Sequence, residues 1–149
     1  MNILLTTKDL CIDNVQFLDT KDNIIMDGNF TKLVYADPLI TMNGLYIYFP
    51  ILLKSVHKNI AFFDVNENRT LLKEIFDIEK NILQYYKEIY DKTELEISSI
   101  KTQFMTGMIK LNSFTKLNTF SHENKCVIKI SGIWENKNTI GITCKYIQC

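Results

Sequence analysis

The fold of this chain is decided by CVIKISGIWENKNTIGITCKY, the stretch from Cys126 to Tyr146, which predicts a β-hairpin. Apolar and polar side chains alternate on both sides of a polar ENKN segment, as they do in strands that have one buried face. Opposed residues of an antiparallel pair lie on the same face of the sheet. Matching the two apolar faces therefore requires a loop with an odd number of residues, or a β-bulge.

A loop from Glu135 to Thr139 meets this requirement, whereas shorter loops that end at Asn138 do not. The predicted cross-strand pairs are Ile130 with Cys144, Trp134 with Ile140, Ser131 with Thr143, and Lys129 with Lys145. In this register Trp134 lies on the apolar face, and we expect it in the core. Like charges directly opposite each other destabilise a sheet unless an anion lies over them. The lysine pair is therefore the first indication of an anion-binding surface.

Length and composition set the class of protein. The chain has 149 residues, the size of one ordinary domain, so we expect residues 1–149 to form a single globular domain. Hydrophobic residues make up 46% and charged residues 23%, proportions that exclude disordered and fibrous classes. Basic and acidic residues balance at 17 each, which excludes a surface that is basic throughout and leaves room for a local basic patch.

The sequence lacks the short motifs of the common catalytic classes. It contains no GxxxxGK[ST], GxGxxG, HExxH or GxSxG segment, so nucleotide hydrolysis, zinc proteolysis and serine hydrolysis have no signature. His57 and His122 stand in polar, turn-like contexts and are predicted to be solvated side chains rather than bases. We therefore expect a protein that is not an enzyme and has no cofactor and no metal.

The cysteines indicate a reducing compartment. Cys11, Cys126, Cys144 and Cys149 form no CxxC pair and no cluster with histidine, which argues against disulfides and zinc. Cys126 and Cys144 fall on the apolar face of the hairpin and are predicted to be small core residues. No secretory leader and no apolar run of roughly 18 residues is visible, so we expect a protein that is neither secreted nor embedded in a membrane.

Extended segments dominate the first half of the chain. The predicted strands are Asn14–Leu18, Phe30–Ala36, Leu45–Pro50 and Asn59–Val65, with a further strand near Gln103–Leu111. The Asn43/Gly44 dipeptide is a strong turn signal and predicts a hairpin over Pro38–Phe49. Alternation after Gly44 turns Tyr46 and Tyr48 outward, away from the core.

One long helix is predicted over about Thr70–Tyr90, where apolar residues recur at spacings of four and three. Its apolar stripe includes Leu71, Ile75, Ile78 and Ile82, and Asn68 is the predicted N-cap. So wide a stripe favours packing against a sheet. A coiled-coil dimer through the same stripe, and with it a homo-oligomer, stays open as an alternative.

The order of these elements predicts an α+β domain. Runs of strands interrupted by one helix indicate an antiparallel sheet rather than alternating parallel units. An OB-like Greek-key barrel, with the long helix between its third or fourth strand and the C-terminal strands, has this order once an early strand is counted as an addition. An open antiparallel sheet backed by the helix has the same order, and the sequence does not choose between them.

Two segments resemble a family of known proteins. MNGLYIYFPIL at Met42 to Leu52 and IKISGIWENKNTIGITCKYI at Ile128 to Ile147 are similar to small OB-fold-like proteins of nucleocytoplasmic large DNA viruses. Some of those proteins resemble the single-stranded-DNA-binding proteins of T7-type phages. The resemblance implies a viral protein of DNA replication, located in the cytoplasmic viral factory of the host or in the virion. This chain ends in KYIQC and lacks the acidic, aromatic-ended tail of the phage proteins.

Two functions of different classes follow from these observations. The first is a module that binds single-stranded DNA or RNA without sequence preference, with lysines attracting phosphates and tyrosines stacking on bases. Its candidate residues are Lys129, Lys145, Tyr46, Tyr48, Lys110 and Lys32. The second is a viral structural or protein-interaction subunit that binds viral replication or virion proteins through a sheet edge or the helix stripe. Zero net charge and a single arginine favour the second.

Overall fold

The computed structural model describes residues 5–22, 28–112 and 123–148. The strands in these residues are β1 (Leu5–Thr6), β2 (Val15–Asp22), β3 (Asn29–Ala36), β4 (Thr41–Met42), β5 (Leu45–Leu52), β6 (Ser55–His57), β7 (Ile60–Phe62), β8 (Leu95–Ile97), β9 (Met108–Asn112), β10 (Glu123–Glu135) and β11 (Thr139–Gln148). The helices are α1 (Arg69–Tyr90) and α2 (Ser99–Phe104), and a single 3-10 turn spans Ile12–Asn14.

The strands form one mixed sheet built around β10. Its first part pairs with β5 and its last part with β3, while β11 runs along its other edge. Parallel pairings join β1 to β5 and both β8 and β9 to β11. The predicted α+β class is confirmed. A purely antiparallel sheet is wrong, and the described strands do not close into a barrel, because the path that begins at β1 ends at β6 without returning.

The long helix packs its apolar stripe on one face of this sheet. Ile75, Ile78 and Ile82 are buried, as predicted, while Leu71 lies partly buried against the same core. Asn68 precedes the helix, but its predicted capping hydrogen bond is absent. The side-chain amide of Asn68 instead accepts from Leu52 N at 2.8 Å and donates to Leu52 O at 3.1 Å, so it ties the helix start to the end of β5.

Two local predictions are wrong. The Asn43/Gly44 turn does not close a hairpin over Pro38–Phe49, because β4 turns back on β3 and β5 crosses to β10. Near the predicted strand Gln103–Leu111 the chain first forms α2, and the strand begins only at Met108, after Gly107 has reversed the chain with a φ of +76°. The predicted strand over Asn59–Val65 shortens to Ile60–Phe62.

The predicted register of the C-terminal hairpin is correct only as far as Ile130. Lys129 faces Lys145 and Ile130 faces Cys144, as predicted. The register then shifts by one residue at Ser131, which forms a β-bulge, so that Gly132 rather than Ser131 faces Thr143. Beyond the bulge, Trp134 faces Gly141 instead of Ile140.

The turn of the hairpin is short because the bulge has already supplied the odd residue. Asn136 N donates to Thr139 O at 3.0 Å, which leaves only Lys137 and Asn138 at the tip. The side-chain oxygen of Asn136 accepts from the backbone N–H groups of Asn138 and Thr139 at 3.0 and 2.8 Å. The odd residue required by alternation is therefore in the strand and not in the loop.

The bulge brings Glu135 into a buried chain of hydrogen-bonded polar side chains. After Ser131 the residues that point toward the helix are Ile133, which is completely buried, and Glu135, which is 6% exposed. Tyr86 Oη donates to Glu135 Oε1 at 3.2 Å, and Lys92 Nζ lies 3.2 Å from Glu135 Oε2. Tyr86 Oη also lies 3.2 Å from the hydroxyl oxygen of Thr31. The Thr31 hydroxyl in turn lies 2.6 Å from the hydroxyl of Thr20.

The short helix α2 is held by a second buried carboxylate. Glu79 on α1 is 1% exposed, and its two oxygens accept from the N–H groups of Ile100 and Lys101 at 2.8 and 3.1 Å. These are orphan donors of the first turn of α2, which the preceding Ser98 leaves uncapped. Burial raises the pKa of Glu79, and the two backbone hydrogen bonds oppose this rise only in part. Phe104 at the other end of α2 packs edge-on against Phe49 and Tyr146.

We predict that Ile82→Ala lowers the free energy of unfolding by about 2 to 5 kcal/mol, because it leaves a cavity in the packed core. Ile82 is completely buried, whereas Ile89, on the same helix, is 50% exposed. The matched variant Ile89→Ala should change the free energy by no more than about 0.5 kcal/mol. Urea unfolding of both variants checks this, and equal effects of the two substitutions would show that the stripe is not packed on the sheet.

The raised pKa of Glu79 predicts a pH dependence of stability. Because the folded pKa lies above the ordinary value of 4.5, the folded chain binds more protons than the unfolded chain just above pH 4.5. The contribution of Glu79 to the free energy of unfolding is therefore largest below pH 4.5 and is lost as pH rises through the folded pKa.

The experiment is urea unfolding over a pH series for the wild type, Glu79→Gln and Asp77→Asn. Glu79→Gln should remove this part of the pH slope, whereas Asp77→Asn, which alters an exposed carboxylate of the same helix, should keep it. Parallel pH profiles for the wild type and Glu79→Gln would contradict the prediction.

Candidate nucleic-acid interface

We call the side of the sheet turned away from α1 the outer face. The helix side carries the core residues of each strand, such as Ile47 of β5, Ile128 of β10 and Ile142 of β11. The residues between them in sequence point the other way. Because cross-strand partners share a face, the observed register sorts the outer face into rows that run across neighbouring strands.

The central row holds three of the predicted residues. Tyr46 of β5 pairs with Lys129 of β10, which pairs with Lys145 of β11. Lys129 Nζ lies 5.5 Å from the centre of the Tyr46 ring, within the range of a cation–π contact. The repulsion between the opposed lysines is therefore reduced on one side by an aromatic ring. All three side chains are half-buried.

The other predicted residues share this face. Tyr48 lies in the next row, opposite Val127, so both tyrosines point outward as predicted. Lys32 of β3 is exposed and pairs with Gly132, in the row that adjoins the central row on the side away from Tyr48. Lys110 of β9 is exposed, and the alternation of β9 places it on the same face as Asn112, the partner of Ile147 on β11.

Three further residues of this face were not predicted from the sequence. Because of the bulge, Trp134 points outward and not into the core, and it pairs with Phe30 of β3. Phe30 in turn pairs with the exposed Lys21 of β2. Alternation along the predicted strand Phe30–Ala36 already put Phe30 on the same side as Lys32. To place Trp134 on this face as well, the position of the bulge would have had to be known.

Two glycines lie directly beneath these aromatic rings. A Cβ atom at Gly141 would come within 2.3 Å of Trp134 Cζ2, and one at Gly132 would come within 2.7 Å of Phe30 Cζ. The rings therefore occupy the space that side chains would fill at those positions. Each ring rests against the backbone of the sheet and is only half-buried.

The charge of these rows is one-sided. The outer face has four such rows, which on β10 fall at Trp134, Gly132, Lys129 and Val127. Their lysines and aromatic residues are Lys21, Lys32, Lys129, Lys145, Phe30, Tyr46, Tyr48 and Trp134. None of the residues paired in these rows is an aspartate or a glutamate, and the exposed Asp19 lies at the bulge of β2 opposite Lys32. In proteins that bind single strands, lysines attract the phosphate groups and aromatic side chains stack on the bases.

Other polar features of the described residues are less suited to a ligand. A cleft of about 600 Å³ opens beside the hairpin tip, but Glu135 at its base is already paired with Lys92 and Tyr86. His57 is exposed at the end of β6, and His122 lies outside the described residues. Burial raises the pKa of Cys144 to about 11, which keeps its thiol protonated at neutral pH.

The described residues contain no group of three His, Cys, Asp or Glu side chains placed to hold a metal ion. Neither of the two helices is long and apolar enough to span a lipid bilayer. No family model, no curated protein and no solved structure matches the chain. The residues of the outer face are therefore the basis for inferring a function.

Proposed function

We propose that this protein binds single-stranded nucleic acid, DNA or RNA, through its outer face and without sequence preference. The observation that carries the proposal is the concentration of four lysines and four aromatic rings in rows whose paired residues include no aspartate or glutamate. The nearest carboxylate along these rows is that of the exposed Asp19, at the bulge of β2 opposite Lys32. In a chain with zero net charge, this is a local segregation of positive charge.

The lysines supply the electrostatic part of binding. Lys129 and Lys145 face each other across two neighbouring strands, so both ammonium groups attract the phosphates of a strand that crosses this row. Each phosphate that is neutralised releases counterions from the nucleic acid, and the gain is the same for every base sequence.

The aromatic rings supply the preference for unpaired bases. Tyr46 and Tyr48 are half-buried in adjacent rows, so their rings are fixed by the sheet and still accessible. Every base has a flat face that stacks on such a ring, but in a duplex that face is already covered by neighbouring bases. Tyrosines on a flat sheet therefore select single strands.

The sequence resemblance to proteins of large DNA viruses supports a role for this binding in viral DNA replication. There the ligand is the single-stranded DNA exposed in the viral factory. A structural or protein-interaction subunit that joins viral replication or virion proteins is the alternative, and it takes the place of this proposal if no oligonucleotide binds.

We predict that Lys129→Ala combined with Lys145→Ala weakens binding to every sequence tested. The slope of log K against log salt should fall by about 1 to 1.5, since each phosphate contact on a single strand contributes about 0.7. Fluorescence anisotropy of labelled oligonucleotides over a salt series measures both quantities. The matched control is Lys73→Ala with Lys80→Ala, which removes two exposed lysines of α1 and should leave the slope unchanged.

Tyr48→Ala gives the contrasting signature in the same assay. It should cost about 1 to 3 kcal/mol of binding free energy without changing the salt slope, because losing an aromatic contact releases no counterion. The proposal fails if the wild-type protein binds no oligonucleotide at low salt, where charges are least screened. It also fails if the control lysine pair changes the slope as much as Lys129 and Lys145 do.

A further inference from the structure

We infer that Trp134 and Phe30 form a second stacking platform, which extends the interface to a single strand of about four nucleotides lying along β10. This inference rests on the proposed function and adds to it the position, length and direction of the bound strand. The two residues belong to the row that the bulge turns outward, at the end of the outer face remote from Tyr48.

The spacing of the rows sets the length of the strand. On β11, which has no bulge in this region, the four rows fall at Gly141, Thr143, Lys145 and Ile147. Successive residues on one face of a strand are about 6.6 Å apart, so the rows extend over about 20 Å. One nucleotide in each row gives a site of about four nucleotides, at the lower end of the roughly 4 to 16 that oligonucleotide-binding folds cover.

The order of side chains along the rows matches a single strand. Aromatic rings lie at both ends, with Trp134 and Phe30 in the first row and Tyr48 in the last. The lysines Lys32, Lys129 and Lys145 lie in the two rows between them. Tyr46 shares a row with Lys129 and Lys145. Bases therefore stack in three of the four rows, and the phosphates that join them pass over the lysines.

The absence of a side chain at Gly141 and Gly132 lets the two rings lie over the sheet. Any side chain at Gly141 would displace the Trp134 indole, because its first carbon would lie 2.3 Å from the ring. Gly132 gives the Phe30 ring the same space. Both rings are partly exposed to solvent, and a base stacks on the exposed part of such a ring.

The chain contains a single tryptophan, so tryptophan emission, excited selectively over that of the seven tyrosines, reports on Trp134 alone. The experiment titrates the full chain with unlabelled oligothymidylates of two, four and eight nucleotides and follows tryptophan emission. In parallel, anisotropy of a labelled eight-nucleotide strand measures binding independently of Trp134. We expect saturable quenching with the same Kd in both assays, and an affinity that rises from two to four nucleotides.

Trp134→Leu should weaken binding of the four-nucleotide strand roughly 5- to 150-fold, the loss expected for one stacked base, with no change in salt slope. Trp134→Phe keeps a ring over Gly141 and should retain most of the affinity. The matched control is Tyr90→Leu, which alters an aromatic residue of α1 that is 39% exposed and should leave binding unchanged. Urea unfolding of each variant separates a loss of binding from a loss of folding.

The outcomes distinguish this inference from the proposed function. Oligonucleotide binding with unchanged Trp134 emission, and equal affinities of the wild type and a folded Trp134→Leu variant, would overturn the second platform and leave the proposed function in place. Absence of binding in the anisotropy assay at low salt would overturn both. Quenching together with rescue by phenylalanine supports the platform.

Discussion

The β-bulge at Ser131 is the constraint on which the rest of the structure depends. One extra residue in β10 reverses the alternation of every side chain beyond it. Ile133 and Glu135 turn toward the helix, and Gly132 and Trp134 turn toward the outer face. Without the bulge, a charged Glu135 would lie on the solvent side and an indole would compete for space in the core. The same residue shift that completes the core therefore also assembles the aromatic row of the outer face.

The buried hydrogen-bond chain compensates the burial of Glu135 that the bulged register requires. Glu135 is 6% exposed, and an unpaired carboxylate at that depth would be strongly destabilising. Lys92 supplies the opposite charge, and Tyr86 donates its only proton to Glu135. Thr31 must then donate to Tyr86, so the chain of hydroxyls has one direction. Burial raises the pKa of Tyr86, which keeps its hydroxyl a donor.

The parts of the fold that could be predicted from the sequence are those fixed by local alternation. The α1 stripe, the outward tyrosines and the Lys129–Lys145 pair each follow from a spacing of two or of three and four residues. Alternation also required an odd residue in the hairpin, but its position depends on distant partners of Glu135, which no local pattern contains. The parallel pairings involve β1, β8 and β9, strands of two to five residues that are too short to show a period. Helix α2 has six residues and is capped by Glu79 from α1.

Net charge is the wrong quantity for judging whether this surface attracts a polyanion. The 17 acidic and 17 basic residues cancel over the whole chain, but electrostatic interactions between exposed charges fade over a Debye length of about 8 Å at physiological salt. Packed layers of secondary structure are separated by about 10 Å, so carboxylates in the α1 layer lie beyond that length from a strand on the outer face. The ion pair of the buried Glu135 with the partly exposed Lys92 adds little, since its charges compensate each other. A phosphate backbone placed on the outer face would meet the local set of lysines, whose paired neighbours include no aspartate or glutamate, and the one exposed Asp19 at the bulge of β2.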